Sequence, residues 1–194
     1  MPKYYLMPKY YKNLIAENIF AYLIVLLGIS FIYPLTFFDS ANQYYLFAFG
    51  FKILVFLIYG ISIIPAVILA KLTYMLFISD INGDPVLAVH LSLLSALAPA
   101  IAMYAMNLSR VDIRNLKNID FRHVIFFILL TSIISSLLKY IYLSNEILLD
   151  AHAASYLGNY LLGHIIGGLI VVYAIIKITP FILNFLSRSI ASRS

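Results

Sequence analysis

Long apolar stretches that are almost free of charge leave this chain few ways to fold. They run over about 14–38, 44–78, 86–107, 123–143 and 155–184. A helix needs ~20 mostly apolar residues to cross a bilayer. Hydrophobic residues make up 63% of the 194 and charged residues 11%, whereas a soluble domain carries roughly 45–50% and about 25%. So few charges cannot cover a water-facing surface, and lipid is the implied solvent. The expectation is an all-α, polytopic membrane helical bundle forming a single domain over 1–194.

The stretch from Tyr44 to Ile78 holds 35 residues, too many for one span. Gly60 and Pro65 interrupt it, and YGISIIP reads as a tight turn. Splitting it there gives a helical hairpin and six spans, about 14–38, 42–59, 62–78, 86–107, 123–143 and 155–184. SDINGDP at 79–85 is a turn by composition, and Pro99 falls inside the fourth span, where it predicts a kink. In the polar segment 108–122, Val111, Leu116, Ile119 and Phe121 supply apolar residues for a short helix expected to lie along the membrane surface.

Charge placement orients the bundle. With the amino terminus inside, the inner segments hold Lys3, Lys9, Lys12, Arg110, Arg114, Lys117, Arg122, Lys177, Arg188 and Arg193. The outer loops hold Asp39, Asp80, Asp84, Glu146 and Asp150 and no Lys or Arg. This is the positive-inside pattern, and it places both termini in the cytoplasm. Removing the hairpin would reverse every later loop. The net charge of +5 therefore reads as attraction to anionic lipid headgroups and not as a nucleic-acid surface. The expected location is a bacterial cytoplasmic (inner) membrane. Trp is absent, and 16 Tyr take over the interfacial belt. MPKYY occurs at 1–5 and again at 7–11; the repeat is either a second start at Met7 or a basic, aromatic interfacial collar. The apolar run that follows lacks a small-residue cleavage site and reads as an anchor.

With no cysteine in the chain, disulfides, thiolate metal sites and cysteine nucleophiles are excluded. No nucleophile elbow, phosphate loop, dinucleotide fingerprint or pair of intramembrane carboxylates occurs, so the expectation is a protein that is not an enzyme and has no cofactor. His90, His152, Asp80 and Asp84 share the outer side, but no two have ligand spacing on one helix, and no metal is expected. His123 flanks the inner loop.

Candidate binding residues are polar groups at membrane depth. Lys52 lies eight residues before Gly60 and Lys71 eleven after it, which puts both about 12–16 Å from the hairpin tip and near the middle of a ~30 Å core. Lys139 lies nearer the outer face, within snorkelling reach. An ammonium at mid-membrane costs at least ~2.5–3.5 kcal/mol and faces the bundle interior or a partner. No acid occupies the middle of any span, so the lysines require an anionic ligand, an acid from a partner's span, an uncharged state, or snorkelling. On the sixth span, Ser155, Asn159, Gly163 and Gly167 form one small or polar stripe that permits close helix approach, within the chain or in a homo-oligomer. Asn159 and His164 are further candidates for ligand or partner contact.

Three stretches carry a family resemblance: AFGFKILVFLIYGISIIPAVILAKL at 48–72, DIRNLKNIDFRHVIFFILLTSIISSLL at 112–138, and YLGNYLLGHIIGGLIVVYAIIKITPFI at 156–182. Together they resemble the first type of the bacterial membrane-associated sensor family. Asn159 stands where that family tends to carry an acid. The resemblance implies signal transduction by a stand-alone relative that passes its state to a separate output protein. Two other functions suit such a chain: a substrate-binding subunit of an energy-coupling-factor-like transporter, or an accessory subunit of a larger membrane complex.

The orientation is testable by cysteine labelling of whole cells. Labels near Asp84 and Glu146 are expected to react with an impermeant reagent and one at Lys117 is not. An exposed Lys117 would remove the hairpin.

Overall fold

The computed structural model of the protein describes residues 7–30, 45–78, 84–109, 121–144 and 153–191. Among these the fold is all-helical: α1 (Met7–Ser30), α2 (Tyr45–Tyr59), α3 (Ile64–Phe77), α4 (Pro85–Leu108), α5 (Phe121–Ser144) and α6 (Ala153–Ala191). Residues 1–6 of the basic collar, the outer residues Asp39, Asp80, Glu146, Asp150 and His152, and 110–120 of the surface-helix segment lie outside the described residues.

Side-chain placement is that of a protein dissolved in lipid. On α4 the exposed large apolar residues are Val86, Val89, Leu93, Leu97, Ile101, Tyr104 and Leu108, spaced three or four apart. The opposite face buries Ala88, Ser92, Ala96, Pro99, Ala102 and Met106. On α6, Leu162, Ile166, Ile170 and Tyr173 face outward, while His164, Gly167 and Gly168 are buried. Large apolar side chains outside and small or polar ones inside is the arrangement expected where lipid is as apolar as leucine, so that close packing and hydrogen bonds hold the helices together. Among the described residues five stretches are long and apolar enough to cross a membrane: Asn13–Ser30, Ala48–Phe77, Pro85–Leu108, Phe121–Tyr142 and Leu157–Ile175. The fold is that of a multi-pass membrane protein.

The second of those stretches is folded back on itself. A single 3-10 turn, Gly60–Ile63, separates α2 from α3, and Gly60 has φ 75°. That left-handed conformation is open to glycine at little cost. Pro65 then sits in the first turn of α3, where its missing N–H breaks no helical bond. Ala48 and Lys71 line the same cavity, although a continuous helix would hold them about 35 Å apart.

The helices pack in pairs that close a ring, α1–α2–α6–α5–α4–α3 and back to α1. α1 therefore lies between the two arms of the hairpin. Asn18 fixes it there: its Nδ2 donates to the carbonyl oxygens of Leu14 (3.0 Å) and Ser62 (3.1 Å), and its Oδ1 accepts from the Ala66 N–H at 3.3 Å. One amide thus meets both ends of the hairpin turn, including a first-turn N–H that has no partner within its own helix. Further along, the Tyr22 hydroxyl donates to Thr73 Oγ1 at 3.3 Å. α4 begins with Asp84, whose carboxylate accepts from the N–H groups of Val86 (2.9 Å) and Leu87 (3.3 Å), an N-cap.

The close approach of α2 to α6 depends on Gly50. A Cβ there would collide with Val171 and stand 2.7 Å from the Gly167 carbonyl oxygen. A backbone atom cannot rotate away, so Gly50→Val forces the helices apart and is expected to destabilise the protein by about 1–3 kcal/mol. Gly158 has open space where its Cβ would go, and Gly158→Ala serves as the neutral control. Thermal unfolding in detergent checks the pair; equal midpoints for both variants would contradict the packing.

Candidate functional site

The ring holds a partly open cavity of about 40 Å³ to which every helix contributes a wall. α1 supplies Val25 and Ile29, α2 Phe49 and Lys52, α3 Val67 and Lys71, α4 Ser95, α5 Lys139, and α6 Tyr160 and His164. About one probe sphere of 10–15 Å³ holds one water, so the space is that of roughly three waters.

Lys52 and Lys71 reach this cavity from the two arms of the hairpin, which sets their side chains toward each other. Lys52 is 6% exposed. Its Nζ donates to Ser95 Oγ at 3.3 Å and lies 4.8 Å from the centre of the Phe49 ring. Lys71 Nζ lies 5.1 Å from the Tyr74 ring centre, and Lys139 Nζ 4.1 Å from that of Tyr160. Each ammonium thus stands at an aromatic face, a contact worth about 0.5–2 kcal/mol. Such a contact stabilises a cation without neutralising it. Like charges that share one cavity still repel one another. The described lining contains no Asp or Glu.

His164 joins the walls. It is 4% exposed, and its ring stacks on Phe49 with centroids 4.1 Å apart and planes 13° apart. The Tyr160 ring lies across it at 3.9 Å and 57°. The aromatic contacts therefore run without a break from Lys52 through Phe49, His164 and Tyr160 to Lys139. The Nδ1 atom of His164 is buried without a hydrogen-bond partner. The Tyr160 hydroxyl pairs with Ser135 on α5. Ser92 and Ser132 return their hydroxyls to the helix, to the carbonyl oxygens of Ala88 and Ile128 at 2.7 Å each.

Of the residues singled out in the sequence, Lys52, Lys71, Lys139 and His164 meet at this cavity. Lys139, placed by register within snorkelling reach of the outer face, is turned inward. Asn159 is exposed and is not among the described lining residues. Gly167 is buried and Gly163 half-buried, and the Gly167 carbonyl abuts Gly50 of the same chain. Asp84 caps the start of α4, and His90 Nδ1 is 2.9 Å from the Val86 carbonyl oxygen, with its ring 5.4 Å from that of Tyr142. Among the described residues no three His, Asp or Glu side chains are grouped to hold a metal ion.

Ser95, Tyr160 and Phe49 were not singled out by sequence reasoning. For Ser95 a signal existed. Pro99, four residues on, has no N–H to return to the Ser95 carbonyl, which loosens α4 at the residue whose hydroxyl meets Lys52. No family model matches the chain, and no curated protein or solved structure is similar to it. The fold and the cavity define its class on their own, a multi-pass α-helical membrane bundle with a basic internal cavity.

Proposed function

We propose that this chain is a ligand-binding module of six spans with both termini in the cytoplasm, which signals cavity occupancy to a separate output partner. The observation that carries this reading is the cavity to which all six helices contribute a wall. An occupant would touch every helix of the ring, and a ligand shifts a conformational equilibrium only through contacts that differ between the two states. α6 supplies a route to the inner surface. It carries Tyr160 and His164 in the cavity and runs on to Ala191, 39 residues in all. That is about 58 Å of helix, nearly twice the ~30 Å hydrocarbon core. The charge asymmetry of the loops favours the cytoplasm as the side on which α6 ends. The expected setting is the bacterial inner membrane.

The test uses the purified protein in detergent with a panel of small molecules: sodium nitrate, sodium formate, glycerol, urea and choline. A ligand at 100 times its Kd stabilises by about 2.7 kcal/mol, which moves the unfolding midpoint of a chain this size by roughly 5–10 °C. At least one compound is expected to do so in the wild type and not in Ser95→Leu, whose side chain fills the cavity. No shift with any compound would overturn the reading. With the stabilising compound bound, amide exchange in 176–191 is expected to change. Stabilisation without that change would favour a capture subunit over a sensor.

A further inference from the structure

We infer that the ligand is a small anion of no more than about four non-hydrogen atoms, such as nitrate, formate or a halide, held among Lys52, Lys71 and Lys139 beside His164. This inference rests on the ligand-binding reading above and specifies its chemistry. The described lining offers three amines, an imidazole, a phenol and a hydroxyl, and no carboxylate. An ammonium has three N–H donors and no acceptor. Lys52 directs one donor to Ser95 and meets the Phe49 ring, and neither contact brings negative charge. Cations inside a membrane are commonly paired, and a cluster of three around one cavity repels any cationic guest.

The second observation is His164. Its Nδ1 is buried and has no hydrogen-bond partner, in a ring clamped between Phe49 and Tyr160. The clamp prevents the imidazole from turning to find a partner elsewhere. Thr131 Oγ1 and Ser136 Oγ are likewise buried without partners, but of the three only His164 Nδ1 belongs to a residue that lines the cavity with the lysines, so an anion held by them lies beside its ring. Size narrows the class. Space for roughly three waters suits nitrate, formate or a halide better than citrate, gluconate or a nucleotide.

The experiment measures the unfolding midpoint of the purified protein at constant ionic strength, with sodium gluconate as background. Sodium nitrate, sodium formate and sodium chloride are titrated against it, with citrate, glycerol and choline as comparisons. Nitrate, formate or chloride is expected to raise the midpoint saturably, and citrate, glycerol and choline are not. Loss of one charge-assisted hydrogen bond weakens binding by about tenfold or more, so the half-saturating concentration is expected to rise by that factor in Lys52→Met. Lys139→Met is the second variant, for the case in which Lys52→Met does not fold; size-exclusion and helical circular dichroism decide that.

Two results would overturn the inference. One is an equal response of wild type and both folded variants to the small anions, which would mark a general salt effect. The other is stabilisation by glycerol, urea or choline alone, blocked by Ser95→Leu. The second leaves the ligand-binding reading standing and removes only the anion, whereas silence from every compound removes both.

Discussion

An ammonium group at the depth of hydrocarbon has to be turned away from lipid, and most of this structure can be traced to that requirement. Lys52 and Lys71 sit on the two arms of one hairpin at matching distances from its tip. Exposed to lipid, each would cost several kcal/mol. Turned inward they need space, polar neighbours and a way to tolerate one another. The ring of six helices provides the space, and Ser95, Phe49 and Tyr74 provide the neighbours. The aromatic faces act here as weak, uncharged counterparts. The described lining of the cavity contains no carboxylate.

The ring in turn depends on residues that let backbones come close or that tie them down. Gly50 admits Val171 and the Gly167 carbonyl, which brings α6, with His164 and Tyr160, against α2. Gly60 at positive φ reverses the chain. Asn18 holds α1 between the hairpin arms by bonding to both sides of the turn. In that position α1 adds Val25 and Ile29 to the cavity wall.

Much of this was legible in the sequence, and what was not has a common cause. Apolar run length and the Gly60 turn are one-dimensional signals, and so is the distance of a lysine counted from a turn. The direction a side chain takes around its helix is not. Lys139 was placed by depth and read as able to reach the outer surface, but its direction turns it into the cavity. Asn159 was placed on the glycine stripe by steps of four. Each such step drifts 40° at 3.6 residues per turn, so Asn159 lies about 80° around the helix from Gly167 and is exposed. The buried face of α6 follows His164, Gly168 and Val171 instead. The order of helices in the ring, and hence the meeting of Ser95 with Lys52, depends on contacts between segments 43 residues apart, which no local pattern records.

The central claim is that the lysines of the hairpin and of α5 define one anion-accepting cavity inside the bundle. Anomalous diffraction from crystals grown or soaked in sodium bromide tests it most directly, because bromide takes the place of a small anion and identifies itself. The account predicts a bromide peak inside the ring, in contact with Lys52 and within reach of Lys71, Lys139 and His164. Well-ordered bromide peaks confined to the protein's outer surface, with the three lysine side chains clearly resolved around an empty or water-filled cavity, would contradict it.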